Sequence, residues 1–175
     1  MELVWMRGLV RLLVWDYNMY PLTHFLVAFF IGLIMVKYGS FTLLQALYAG
    51  LVGLLIDVDH FISFVIKKDD FSLKHAWNAT VKYKLEERTF IHHFPGFIIV
   101  SLILLLLYFI GGPWFWILLI GYYSHIFLDY FNFRKWLRLK RKSLNFKEEG
   151  FFFKIPIYEI VFDVIFIALI LFLLL

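Results

Sequence analysis

Apolar residues in this chain fall in long unbroken runs, not in the 3.6-residue stripe of a surface helix or the alternation of a half-buried strand. Five runs stand out, at residues 21–38, 41–62, 91–110, 114–131 and 157–175, each close to the ~20 residues a helix needs to cross a hydrocarbon core of about 30 Å. Proline and glycine punctuate them. Pro21 stands in the first turn of the first run, Gly39-Ser40 joins it to the second, and Gly111-Gly112-Pro113 turns the third back into the fourth. Two polar stretches, 67–90 and 132–156, read as loops, the first with a short surface helix around 76–84. Ahead of the first run, residues 1–17 mix Leu, Val and Trp with Glu2, Arg7, Arg11 and Asp16; too charged to span, they predict a helix lying in the membrane interface. The pattern predicts an all-α integral membrane protein, with about five transmembrane helices plus the N-terminal interfacial helix in one bundle. Residues 1–175 form a single transmembrane domain on this reading.

Composition supports a membrane protein, since 63% hydrophobic and 22% aromatic residues give 175 residues more apolar surface than one soluble domain can hide. The first run is not expected to be a cleaved signal: it lacks a small-residue cleavage site, contains Pro21 and His24, and precedes four more runs. Cysteine is absent, which excludes disulfides and thiolate metal sites and leaves histidine and carboxylate as ligands. If the five helices alternate sides, 16 of the 17 Lys and Arg residues share the side of the N-terminus, and only Lys37 lies opposite. The positive-inside rule then puts the N-terminus and both long loops in the cytoplasm, in a multi-pass protein of the cytoplasmic membrane. Arg134, Lys135, Arg138, Lys140, Arg141 and Lys142, crowded around Trp136, Leu137 and Leu139, suit anionic headgroups or serve only as a topogenic loop. Such a stretch would suit nucleic acid in a soluble protein, but no nucleic-acid partner is expected here.

On this map the polar residues of the runs gather at one depth. His24 begins the first run, Asp57, Asp59 and His60 end the second, His92 and His93 begin the third, His125 and Asp129 end the fourth, and Glu159 and Asp163 begin the fifth. All of these are cytoplasmic ends. Ionisable groups at the edge of hydrocarbon are costly and usually face a polar interior that binds something. Asp57 and His60, at i and i+3, share a helical face, whereas Asp59 falls roughly 200° from Asp57 and reaches the same place only at a helix end. A helix stop with a solvated acidic end would look the same locally; coincidence across five helices favours a site. Imidazole and carboxylate together suit Zn²⁺, Mn²⁺ or Fe²⁺, as one ion or as two about 3.5–4 Å apart.

Four pieces of the chain resemble the YdjM-type family of membrane-bound, predicted metal-dependent hydrolases. They are Thr23-His24, Gly-Leu-Leu-Ile-Asp-Val-Asp-His over 53–60, Arg88 with His92, and Gly-Tyr-Tyr-Ser-His-Ile-Phe-Leu-Asp over 121–129. Their order matches that of the family. The chain departs from the family at Ile56, where proline is common, at Glu87, where histidine often precedes the arginine, and in a longer basic stretch before the fifth run. His125 with Asp129 alone is also similar to membrane phosphatidic-acid phosphatases, but the chain lacks their Lys-rich first motif and their Pro-Ser-Gly-His.

The resemblance implies a metal-dependent hydrolase, and the positions of the polar residues suggest its parts. His24, Asp57, His60, His92, His125 and Asp129 are the expected metal ligands, Asp59 and His93 supporting or alternate ones, and Arg88 the group that binds an anionic substrate. The expected cofactor is one or two divalent transition-metal ions, zinc first, and the expected substrate is a lipid or lipid-linked phosphoester. Asp163 lies about 9 Å into the fifth run, too deep for an anion facing lipid, so it and Glu159 should face the bundle as supporting or ion-pair groups rather than as a general base. Two rivals remain: a metal- or proton-handling transport protein, which needs a polar path onward through the outer halves, and a structural protein whose metal only staples the helices. Beyond Ser40, Thr42, Gln45 and Ser101, those outer halves offer little.

Overall fold

The computed structural model describes residues 19–83, 90–130 and 143–175. The expected interfacial helix over 1–17, Arg88 and the basic cluster 134–142 lie outside the described residues. Helix α1 (Pro21–Lys37) opens on proline, whose fixed φ suits a first turn and whose missing N–H would have had no helical partner there. Helix α2 (Leu43–Leu55) opens on a reciprocal cap in which Thr42 Oγ1 accepts the Gln45 N–H at 3.3 Å and Gln45 Oε1 accepts the Thr42 N–H at 2.7 Å. It stops short of the acidic residues. Helix α3 (Val58–Lys68) follows a tightened turn in which the Asp59 and His60 N–H groups each bond a carbonyl three residues back, at 3.2 Å.

Helix α4 (Leu73–Tyr83) occupies the first polar stretch. A 3₁₀ turn (Phe90–His92) leads into α5 (Phe94–Ile110), and Gly111 and Gly112, at φ +81° and +100°, make the reversal into α6 (Pro113–Tyr130). The second polar stretch is not wholly loop. Its residues 143–156 form an antiparallel hairpin, β1 (Ser143–Glu148) and β2 (Phe151–Pro156), closed by Glu149 and Gly150 at φ 47° and 85°, the positive values a primed two-residue turn requires. Helix α7 (Ile157–Leu174) ends the chain.

The structure is thus mostly helical, and two of its helical runs, Leu43–Lys68 and Ile157–Leu174, are long and apolar enough to cross a membrane; α1 and α5 are shorter apolar helices of 17 residues each. Outward-facing Leu102, Leu106 and Ile110 of α5 and Val161, Val164 and Leu171 of α7 stay exposed, an exterior suited to lipid.

Helix α1 sits in the middle, packed on α2, α6 and α7. Close approach depends on glycine at the α2 contacts: a Cβ on Gly121 would stand 2.4 Å from Val52 Cγ1, and one on Gly53 would stand 2.9 Å from the His24 carbonyl oxygen. Ala28, Phe41, Ala49, Ile117 and Ile120 form a buried apolar cluster between these helices. Outside these helices, α4 and the hairpin are stitched together. Asn78 donates to the Gly150 carbonyl at 2.9 Å and accepts the Phe152 N–H at 2.7 Å, and Trp77 Nε1 donates to the Phe152 carbonyl at 3.0 Å. At the start of α4, the Ser72 N–H and then His75 hold the partly exposed Asp70 carboxyl below its ordinary pKa.

Candidate metal centre

The interruption between α2 and α3 brings together acids that a continuous helix would set on different faces. Asp57, at the cap of α3, places Oδ1 3.6 Å from His125 Nε2 and Oδ2 4.0 Å from His24 Nε2. Asp59, in the first turn of α3, places Oδ2 3.1 Å from His92 Nδ1. Asp129, one helical turn beyond His125 on α6, stands at the centre: its carboxylate oxygens lie 3.2 Å from His92 Nε2, 3.4 Å from His24 Nε2 and 3.5 Å from His125 Nε2. His24, His92, His125 and Asp129 are all buried, His24 and His125 completely.

Hydrogen bonds fix two of the three central imidazoles. His125 Nδ1 lies 2.8 Å from the Gly53 carbonyl, which can only accept, so Nδ1 carries the proton and Nε2 keeps its lone pair. With Asp59 as a carboxylate, His92 likewise donates from Nδ1 to it and turns Nε2 inward. Tyr130 and Tyr122 of α6 hold the backbone of that turn, donating to the His92 carbonyl at 2.6 Å and the Ile91 carbonyl at 3.2 Å. The His24 ring stacks on His125 at 3.8 Å between centroids, and His60 stacks on His92 at 5.1 Å.

The His92 and His125 Nε2 atoms face each other at 2.9 Å, and with both Nδ1 atoms protonated that contact is repulsive unless a proton or a cation lies between them. Two ligands on one ion at bonds of about 2.0–2.1 Å stand about 2.9 Å apart at a right angle and about 3.3 Å apart in a tetrahedron, so the observed spacing fits cis ligands. Other atoms here are buried without a hydrogen-bond partner among the described residues: both ring nitrogens of His24, Asp57 Oδ2, His60 Nε2 and Asp129 Oδ1. Leaving such atoms unpaired is costly, and a cation would satisfy the carboxylate oxygens and the one lone-pair nitrogen of each neutral imidazole. The donor set fits a divalent metal. Three groups have ligand atoms within 4.8 Å of one another: His24 with His125 and Asp129, Asp57 with His92 and His125, and Asp59 with His60 and His92.

Every ligand expected from the sequence falls in at least one of these groups, and Asp59 joins them while also orienting His92. His93 does not. It caps α5 with its side chain exposed and stands outside all three groups. The Gly53 carbonyl and the two tyrosine hydroxyls escape sequence reasoning because backbone acceptors and tyrosines occur throughout the chain and carry no distinguishing pattern. No curated protein and no solved structure matches this chain. Residues 19–138 match the family described as YdjM inner membrane protein and include every residue of the three metal-ligand groups, and the chain belongs to that family.

Proposed function

We propose that this inner membrane protein is a metal-dependent hydrolase of a lipid or lipid-linked phosphoester, working at the cytoplasmic end of a five-span bundle. The observation that carries the reading is the convergence of three imidazoles on one buried carboxylate, with two of the rings held so that their lone pairs point inward. A divalent ion, zinc by preference with manganese or iron as alternatives, would supply a water acidic enough to attack near neutral pH and a positive charge at the scissile oxygen. Asp57, Asp129 and the histidines would hold it, Asp59 would keep His92 aimed, and Arg88 would bind the anionic group of the substrate.

The transport rival is disfavoured by what lies beyond the cluster. There the bundle interior is Ala28, Ala49, Ile117 and Ile120, Thr42 and Gln45 are engaged in a helix cap, and Ser101 bonds the Phe97 carbonyl and Tyr123. Among the described residues no polar path continues.

Two measurements test the reading. Purified protein in nanodiscs, loaded with Zn²⁺ or Mn²⁺ and offered a panel of phospholipids, is expected to release headgroup or phosphate in a chelator-sensitive way, and His92→Ala is expected to lower turnover at least ~100-fold. Bound metal without turnover on any phosphoester lipid would leave only the staple. A C-terminal reporter should be active outside the cytoplasm; activity only inside would remove the five-span arrangement.

A further inference from the structure

Of the three central imidazoles, His24 alone lacks a hydrogen bond that sets its aim: Gly53 holds His125, Asp59 holds His92, and His24 Nδ1 has no hydrogen-bond partner among the described residues. Its position therefore depends on its backbone, in the first turn of α1, and on the ring stacked against it. That first turn is tied to α7. Glu159 Oε1 accepts the Tyr20 N–H and the Thr23 hydroxyl, the latter at 2.8 Å, and Tyr20 in turn offers its carbonyl to the N–H groups of Thr23 at 2.9 Å and His24 at 3.4 Å. Thr23 Oγ1 also lies 2.8 Å from Asp163 Oδ1. Thr23, His24 and Glu159 are all completely buried.

We propose that Glu159 and Asp163 are positioning residues, which fix the start of α1 through Tyr20 and Thr23 and so aim the His24 imidazole into the metal centre. The inference rests on the reading of the cluster as a metal site. It assigns a task to α7, which lies beyond the matched residues 19–138. A burial argument alone would make these acids ion-pair partners, whereas the geometry gives them backbone and hydroxyl partners on one short segment. Counting protons sharpens the picture. Thr23 has one hydroxyl hydrogen, which Glu159 Oε1 and Asp163 Oδ1 compete to accept, so both acids act on the start of α1 through the same group.

The test compares Glu159→Leu and Asp163→Leu with Glu159→Gln and Asp163→Asn, whose amide oxygens keep both acceptors. In metal-free protein, the leucine variants should exchange the Tyr20 amide about tenfold faster or more and should shift the His24 imidazole ¹⁵N resonance, identified by its loss in His24→Gln. Their affinity for Co²⁺, read from its visible spectrum, should fall about 10–100-fold, with the amide variants within about threefold of the parent. Thr23→Val, which removes only the hydroxyl, serves if a leucine variant fails to fold, and should reproduce the shift and the weakened Co²⁺ binding. An unchanged His24 resonance in folded Glu159→Leu or Thr23→Val overturns the inference, as does a shifted resonance with parental Co²⁺ affinity. A parent that binds no Co²⁺ overturns the metal reading instead, and the His24 resonance still decides the positioning role.

Discussion

His125→Ala protein, purified beside the parent from zinc-supplemented cells, is expected to lose at least one equivalent of bound metal. His125 belongs to two of the three donor groups, and its Nε2 is the atom offered to both Asp57 and Asp129. Loss of a central ligand from a site of this kind weakens binding by about 100-fold or more. The substitution also leaves the Gly53 carbonyl without its donor and opens a cavity beside the His24 ring, so about 2–4 kcal/mol of stability should go with the metal. Metal analysis by mass spectrometry and thermal unfolding in detergent measure the two losses separately. Asp129→Ala should behave alike, since it strips the shared carboxylate from three imidazoles. Parental metal content in both proteins would end the assignment of the cluster as a metal centre.

The second large effect is expected at Gly53, where no side chain takes part. Its carbonyl holds His125, and its missing side chain lets α1 approach until a Cβ would stand 2.9 Å from the His24 carbonyl oxygen and 3.0 Å from Ala28 Cβ. Both obstacles belong to the backbone or sit directly on it, so they cannot swing aside. Gly53→Val should therefore separate α1 from α2, cost about 3 kcal/mol and displace His24 and His125 together, with metal lost as a result. Gly50→Ala provides the contrast. Its nearest obstacle is the Phe25 ring at 2.9 Å, which can rotate, but Phe29 Cβ at 3.0 Å sits directly on the α1 backbone, so a cost of about 1–2 kcal/mol is expected, with parental metal content because His125 is held by the Gly53 carbonyl and not by that of Gly50. Equal behaviour of the two variants would show that the close helix approach does not govern the site.

Much of the site could be read from the chain because it depends on helix ends. Once the apolar runs are bounded, His24, Asp57, His125 and Asp129 fall at one end of the bundle without further geometry, and the structure sets their polar atoms within 4.0 Å of one another in pairs. What could not be read depends on turns. His92 and His93 are neighbours in sequence, and only the passage from a 3₁₀ turn into α5 sends one inward and the other out. Likewise, nothing as strong as proline marks the break after Leu55, yet that break decides whether Asp59 reaches His92. The hairpin at 143–156 was hidden by Phe151-Phe152-Phe153, which spoils strand alternation, and by a Glu-Gly turn where Asn-Gly would have been the clearer signal.

The overlap of the three donor groups limits how many ions the cluster could hold at once. The middle group, Asp57 with His92 and His125, takes one histidine from each neighbour, while the outer two have no residue in common. A neutral imidazole has one lone pair to give, so an ion seated in the middle excludes both flanks. Two ions could sit together only on the flanks, and three could not share these residues. A metal bound here would therefore sit either as one central ion or as two peripheral ones, and a second ion could enter only if the first gave up the centre.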